Sequence, residues 1–203
     1  MPLCNPDILI PSCREEKEIA GQVFDITSFS LGCRVIASCT AHSASVNRNS
    51  VLSKAESEIV IMVDDDIFGF FDGWWQEMVA PLVEDRSVYL VSSRLMEIDG
   101  RKPGYMTGEC YDMKEDLATV AAREVPTACI AFRNTDIRFD EGYRGSGFED
   151  NDFCKQLQKQ YPMGRVVINN KCQLRHANEM KHQKGVNYDH NREYFNKKWN
   201  ENR

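Results

Sequence analysis

Three consecutive carboxylates, Asp64, Asp65 and Asp66, follow the apolar, β-branched segment Glu58 to Val63. That segment predicts a buried strand. Carboxylates this close together repel one another, so an organised site there would raise their pKa values or bind a cation. Hard oxygen ligands suit Mg²⁺ or Mn²⁺, held jointly by the protein and by the phosphates of a nucleotide. The alternative interpretation is a solvated acidic turn.

Two further clusters have residue types that do chemistry: the acidic run Glu149 to Asp152, and His176 with His182. Each has an ordinary structural explanation by itself, since acidic residues at a helix start commonly complement the helix dipole. Together with the acidic triplet on an open α/β sheet, they would supply a metal site and a separate carboxylate base. That combination is what an enzyme needs to move a group off a nucleotide diphosphate.

The elements that would position these clusters alternate between strand and helix. Strands are predicted at 7–12, 33–38, 58–63, 88–93 and 126–132. Helices are predicted at 14 onward, 43–54, 72–79 and after Asp152 through Gln160, with Ser12 as a candidate cap of the first helix. Short strands at 166–168 and 171–174 and short helices near 114–120 and 191–199 complete the prediction. This order predicts an α/β fold with a mixed, mostly parallel sheet flanked by helices. Ligands of such sheets bind at the carboxyl ends of the strands, where the acidic triplet would lie.

The composition narrows the classes of function. With 203 residues, the chain is predicted to form one domain over 1–203, with a polar segment over 181–203. Its net charge of −6 disfavours broad binding to nucleic acid. No apolar run approaches the length of a membrane span, and the first residues are not a signal peptide. Eight scattered cysteines without a CxxC pair indicate a reduced protein, and we expect a soluble, cytoplasmic location.

The order of the motifs resembles that of the GT-A (Rossmann-like) glycosyltransferases, and most of all their inverting family 2 type. Ile10-Pro11-Ser12-Cys13 is similar to that family's opening strand, and Val46-Asn47-Arg48-Asn49 followed by Asp64-Asp65-Asp66 resembles its "ARN…DxD" block. The segment from Gly145 to Phe153 is similar to the "GxGxED" acceptor loop, which the β-1,4-galactosyltransferases share. Leu174-Arg175-His176 matches the later "RH" of those enzymes. The resemblance spans residues 7–178, and the three motifs in this order are far more specific than a DxD alone.

For the donor, the resemblance implies a nucleotide-sugar, with UDP-sugars the most frequent in the family, and a Mn²⁺ or Mg²⁺ ion. Donor contacts are then expected from a set of six residues: Pro11, Ser12, Arg14, Arg48, Asp64 and Asp65. Arg48 would hold phosphate or shape the nucleotide pocket. The implied metal ligands are Asp66, Asp64 and His176, the last as a neutral imidazole.

For the acceptor, the resemblance implies that Asp150 is the general base, which deprotonates a hydroxyl of a glycan or glycoprotein. Glu149, Asp152 and Gly147 would bind the acceptor. A base on the acceptor side implies a single displacement and inversion at the sugar carbon. Family members of this size without membrane segments include enzymes that decorate bacterial surface glycans, and a virus-encoded enzyme is a further possibility.

Two departures from the family pattern leave alternatives open. Ser38-Cys39-Thr40 follows the second strand, where the family usually has an acidic residue that contacts the nucleotide base. His182 competes with His176 as the metal ligand.

Two other functions are also compatible with the sequence. One is a sugar-nucleotide nucleotidyltransferase (pyrophosphorylase), although Pro11 to Glu16 lacks the glycines of its phosphate loop. The other is a carbohydrate- or metal-binding module without turnover.

Overall fold

Strands and helices alternate through the first half of the chain and build most of the central sheet. The computed structural model describes residues 5–100, 117–177 and 187–199. The strands are β1 Asp7–Ser12, β2 Arg34–Cys39, β3 Ile59–Val63, β4 Ile67–Phe68, β5 Val88–Glu97, β6 Thr119–Ala122, β7 Cys129–Arg133 and β8 Arg165–His176. The helices are α1 Glu16–Ser28, α2 Ala44–Leu52, α3 Trp74–Glu84, α4 Glu149–Gln160 and α5 Tyr188–Trp199.

The strands of this part of the chain form one sheet in the order β2-β1-β3-β7-β5-β8-β4, with β6 paired to β8. Strands β1, β2, β3, β5 and β8 point in one direction, whereas β4, β6 and β7 point in the other. The prediction of an α/β fold with a mixed, mostly parallel sheet is therefore confirmed.

Helices on the faces of the sheet explain why its central strands are apolar throughout. Every residue of β1 and of β3 is buried, which is typical of strands covered on both faces. Helix α3 contributes Trp74 and Met78, both fully buried, to the same core. The core thus holds the strand ends rigidly at one edge of the sheet, and the predicted site residues lie at that edge.

Three local predictions were wrong. The two short strands expected at 166–168 and 171–174 are one strand, β8, because a register shift at Ser93/Arg94 of β5 lets the pairing continue past the irregularity. A helix was expected near 114–120, but Thr119–Ala122 is strand β6, and the earlier part of that segment lies outside the described residues. Helix α1 begins at Glu16 with Glu15 as its N-cap, so Ser12 does not cap it.

The polar C-terminal segment contains a packed helix. Helix α5 begins one turn earlier than predicted and lies against the loop and helix that precede β8. Trp199 Nε1 donates to Asp152 at 2.8 Å, and Lys198 Nζ donates to Asp140 at 2.5 Å. Among the described residues, no helix is both long and apolar enough to cross a membrane.

Candidate active site

A cleft of about 260 Å³ opens at the carboxyl ends of β1 and β3. Ten of the predicted site residues line it: Pro11, Ser12, Arg48, Asp64, Asp65, Asp66, Gly147, Glu149, Asp150 and His176. Two predicted residues, Arg14 and Asp152, do not line it. Residues more than 100 positions apart in the sequence therefore meet in one cleft, as the strand order requires.

The acidic triplet sits in a turn that is held by backbone and side-chain hydrogen bonds. The Asp64 amide donates to the Ala128 carbonyl at 2.7 Å, and the buried Gln22 side chain donates to the carbonyls of Asp64 at 2.8 Å and Ile67 at 3.1 Å. The three carboxylate side chains of this turn contact different partners. The solvated-turn alternative is thereby excluded, because Asp66 is only 6% exposed.

Asp66 and His176 form the pair that best fits a divalent cation. Antiparallel pairing of β4 with β8 sets Ile67 opposite His176, and His176 Nε2 lies 3.0 Å from Asp66 Oδ1. Among the described residues, no group of three or more His, Cys, Asp or Glu side chains is arranged to hold a metal ion. A carboxylate fits Mn²⁺ or Mg²⁺, provided that phosphates and water fill the other positions, and an imidazole is a better ligand for Mn²⁺ than for Mg²⁺. The competing candidate His182 lies outside the described residues.

Asp65 fixes the loop between β1 and α1. Its carboxylate accepts from the Ser12 hydroxyl and lies 3.4 Å from Arg14 Nε. The Arg14 amide in turn donates to Ser12 Oγ at 2.9 Å. Arg14 therefore does not line the cleft itself but contacts Asp65, which does.

Arg48 binds three carboxylates at once. Its guanidinium donates to Asp64 at 3.0 Å, to Glu149 at 3.1 Å and to Asp150 at 3.1 Å, and it lies 5.2 Å from the centre of the Phe139 ring. The residue is 5% exposed, and the three carboxylates hold the pKa of the guanidinium above its ordinary value although burial opposes this. Of the two roles predicted for Arg48, these contacts favour shaping the nucleotide pocket over holding phosphate.

One cation among three carboxylates leaves an excess of negative charge in a buried place. Burial raises the pKa of Asp64 to about 6, with Arg48 lowering it and Asp66 and Asp150 raising it further. Burial, reinforced by Asp150, likewise raises the pKa of the Glu149 carboxyl well above its ordinary range. Carboxyl groups perturbed by burial and by a specific charge partner in a cleft are typical of functional sites.

The loop before α4 turns the chain sharply beside the cleft. Gly145, Gly147 and Phe148 have φ values of +59°, +113° and +68°, and a left-handed conformation is uncommon for a residue with a side chain such as Phe148. The Gly147 amide donates to the Glu149 carboxylate, and the Gly145 carbonyl accepts from the Ala44 amide at 2.9 Å. Helix α4 then starts with Glu149, whose neighbour Asp150 faces the cleft. The backbone therefore favours glycine in the predicted acceptor loop, most of all at Gly147, whose φ lies outside the left-handed region that Gly145 and Phe148 occupy.

Asp150 has a second partner that sequence reasoning missed. The fully buried Thr127 donates its hydroxyl to Asp150 Oδ1, the same oxygen that accepts from Arg48. The Asp150 side chain remains 29% exposed. Thr127 is part of the segment predicted as a strand at 126–132, and nothing in its local pattern distinguishes it from any other strand threonine.

The expectation that Asp152 binds the acceptor was wrong. Asp152 is fully buried, and its carboxylate accepts from Trp199 at 2.8 Å, from Lys198 at 2.8 Å and from Gln156 at 2.6 Å. Two residues of an α-helix span about half a turn, so Asp152 lies on the opposite face of α4 from Asp150 and only part of the run reaches the cleft. Asp152 instead anchors helix α5.

Comparison with known proteins bears on the fold. No protein-family model and no curated protein sequence matches the chain. The solved structure of glucosyl-3-phosphoglycerate synthase from Mycobacterium tuberculosis, in complex with Mn²⁺, UDP-glucose and phosphoglyceric acid, matches with a TM-score of 0.62 and 13% identity, over 95% of this chain and 79% of that one.

Two further matches are much longer than this chain. GalNAc-T7 with UDP, GalNAc and Mn²⁺ matches with a TM-score of 0.56 and 14% identity, over 84% of this chain and 37% of that one. Staphylococcus aureus TarS 1–349 in complex with UDP-GlcNAc matches with a TM-score of 0.55 and 18% identity, over 85% of this chain and 58% of that one. Taken with the sheet order and the position of the cleft, these matches show that the chain has the GT-A glycosyltransferase fold.

Proposed function

We propose that the chain is a metal-dependent, inverting glycosyltransferase that moves a sugar from a UDP-sugar to a hydroxyl group of a glycan or glycoprotein. The observation that supports this most is the Arg48 bridge, which reaches Asp64 at 3.0 Å and Asp150 at 3.1 Å. A carboxylate of the nucleotide side and a carboxylate of the acceptor side are therefore separated by one guanidinium. Groups proposed for the two bound molecules would thus be held in one cleft, where the reactants can be oriented towards each other.

On the donor side, Asp66, His176 and Asp64 would hold Mn²⁺ or Mg²⁺. When bound, the ion would neutralise the diphosphate leaving group as a Lewis acid and orient it. Ser12 and Asp65 shape the wall on which the nucleotide would lie. The UDP in GalNAc-T7, the UDP-GlcNAc in TarS and the Mn²⁺ in two of the three similar structures support this assignment.

On the acceptor side, Asp150 would take the proton from the attacking hydroxyl. Its partly exposed side chain faces the cleft, and Thr127 and Arg48 fix its orientation through Oδ1. Glu149, whose pKa is raised by burial, would hold the acceptor loop through the Gly147 amide. Because Asp150 would act from the acceptor side, attack and departure occur in one displacement, which inverts the sugar carbon.

A nucleotidyltransferase is disfavoured by the start of helix α1. Such enzymes bind phosphates with free backbone amides at a helix N-terminus. Here the Glu18 carboxylate accepts from the Glu15 amide at 2.8 Å, and both side chains add negative charge at that position. Phosphate binding at this helix start is therefore unfavourable.

The test is to incubate the protein with Mn²⁺ and a panel of UDP-, GDP- and dTDP-sugars, with and without a panel of nitrophenyl glycosides as acceptors. We expect EDTA-sensitive release of UDP and a product whose anomeric configuration, read by proton NMR, is opposite to that of the donor. No metal-dependent release from any donor would refute the transferase. A product with retained configuration would refute the single displacement, and formation of sugar-nucleotide from a sugar phosphate and NTP would establish a nucleotidyltransferase.

The base is tested with Asp150→Asn, which keeps the size of the side chain. We expect the variant to bind the donor as the wild type does and to lose transfer by about 10²- to 10⁴-fold. The matched control is Asp152→Asn in the same helix, which should lower the melting temperature because Asp152 anchors helix α5, while leaving the affinity for the donor unchanged and lowering transfer far less than Asp150→Asn does. Normal transfer by the Asp150 variant would show that another group is the base.

A further inference from the structure

The loop that forms the acceptor side of the cleft has few backbone partners of its own. Gly145, Ser146 and Gly147 line the cleft, and the left-handed conformations at Gly145, Gly147 and Phe148 prevent this segment from pairing as a strand or continuing as a helix. The carbonyl groups of such a loop need partners from elsewhere when they are turned away from water. The position of this loop is therefore decided by whatever meets those carbonyls.

A single side chain of helix α5, that of Asn191, meets most of them. Asn191 Nδ2 donates to the carbonyls of Arg144 at 2.9 Å, Gly147 at 3.0 Å and Ser146 at 3.4 Å. Its Oδ1 accepts from the Arg144 amide at 2.9 Å. Asn191 is fully buried, so both ends of its amide group are used inside the protein and its orientation is set by these four contacts.

Aromatic packing holds the same loop to the same helix one residue later. The centre of the Phe148 ring lies 5.3 Å from that of the Tyr188 ring and 5.5 Å from that of the Phe195 ring, and both of those residues belong to α5. Polar contacts thus hold the loop before Phe148, and ring contacts hold its last residue. Asp150 follows two residues further on, at the start of α4.

The two sides of the cleft are consequently built in different ways. Strand ends of the sheet hold the carboxylates of the donor side, whereas a helix from the far end of the chain holds the loop of the acceptor side. We propose that Asn191 is a positioning residue that sets the acceptor subsite of this enzyme and leaves the donor subsite unaffected. This inference rests on the proposed glycosyltransferase function.

The decisive variant is Asn191→Asp, which has the same shape but loses both N–H donors and presents a carboxylate to three carbonyl oxygens. With the nitrophenyl glycoside acceptor and the UDP-sugar that give the highest wild-type rate in the panels, we expect kcat/KM for the acceptor to fall at least tenfold. The KM for donor and the Mn²⁺-dependent affinity for UDP should stay within twofold. All rates are normalised to the fraction of protein that binds UDP, so that a loss of folded protein is not counted as a loss of positioning.

The control on the same helix is Tyr194→Phe, which removes a hydroxyl that donates to Asp140 at 3.1 Å and leaves the loop contacts in place. We expect its acceptor kinetics to equal those of the wild type. Asn191→Ser, which keeps a small donor and acceptor, replaces the aspartate variant if that protein does not fold.

Equal losses for donor and acceptor, unchanged acceptor kinetics, or failure of both Asn191 variants to fold would each overturn the proposal, since Asn191 would then be a structural residue only. A wild-type protein without any metal-dependent transfer would instead refute the proposed function itself.

Discussion

Removal of the Arg48 guanidinium should lower the stability of the protein, because the carboxylates around it lose their shared positive partner. In Arg48→Met the volume is largely kept, but Asp64, Glu149 and Asp150 lose a cation that lies 3.0–3.1 Å from each of them. Removing one partner of a buried charge pair costs about 3–5 kcal/mol, because the other charge remains buried without compensation. We expect the free energy of unfolding to fall by about that amount at pH 8, a large part of the roughly 5–15 kcal/mol of an ordinary domain.

The loss should depend on pH with a definite sign. The pKa of Asp64 is already raised by burial to about 6 and that of Glu149 is raised as well, and without Arg48 both rise further. A carboxyl group whose pKa is higher in the folded than in the unfolded state stabilises the fold below its unfolded pKa, and this contribution disappears as the pH rises through the folded pKa. The variant should therefore lie closer to the wild type at pH 5 than at pH 8.

Urea unfolding followed by tryptophan fluorescence at pH 5, 6.5 and 8 measures both effects. The control is Arg165→Met, since the Arg165–Asp85 pair is about half exposed and should contribute at most about 1 kcal/mol. Adding Glu149→Gln to the Arg48 variant should restore part of the loss at pH 8, because it removes one of the uncompensated charges. A loss below about 1 kcal/mol at pH 8, or an equal loss at all three pH values, would refute the electrostatic interpretation of this cluster.

Further predictions concern the metal, the base and the loop. His176→Ala should raise the Mn²⁺ concentration for half-maximal UDP release by at least about 10- to 100-fold, because losing even an outer-shell partner weakens metal binding by that much. An unchanged Mn²⁺ requirement would show that His176 is not a metal ligand. Mn²⁺-dependent UDP binding, measured by calorimetry, should be weaker at pH 5 than at pH 7.5, because Asp64, with a pKa near 6, must be ionised to contribute; equal affinities would contradict this. Thr127→Val should slow transfer about tenfold with donor affinity intact, since one hydrogen bond to the charged Asp150 is worth about 1.5 kcal/mol; loss of donor affinity would assign Thr127 to the nucleotide side. Gly147→Ala should lower stability by about 1–3 kcal/mol through its φ of +113°, as no atom lies closer than 3.9 Å to the added Cβ; a melting temperature equal to that of the wild type would show that the loop relaxes.

The alternation of strands and helices and the place of the carboxylates could be predicted from the sequence because both depend on local patterns. The apolar run before Asp64 specifies a buried strand by its composition, and glycines at 145 and 147 indicate a turn because they adopt positive φ without strain. Convergence of Asp64 to Asp66 with Pro11 and Ser12 then follows from the rule that the carboxyl ends of parallel strands meet at one edge.

Very short elements and contacts between residues far apart in the chain could not be predicted from local sequence patterns. Strand β4 has two residues and exists only because β8 extends beside it. Asp152 belongs to the same acidic run as Asp150, but the helical rotation between them and the approach of Trp199 decide that one is buried and the other faces the cleft. Hydrogen-bond partners that lie far apart in the chain have no signature in either local segment.

The donor side and the acceptor side of the cleft differ most clearly in how far the sequence alone predicts them. The sequence alone was sufficient to place the acidic triplet at the end of β3, since a strand and the residues that follow it are encoded side by side. Only the tertiary structure decided that Arg48 binds carboxylates 101 and 102 residues away, and that Asn191 holds the loop at Gly147. Packing brings these groups together, and a buried polar side chain takes the partners that packing provides, because an unsatisfied one would be costly.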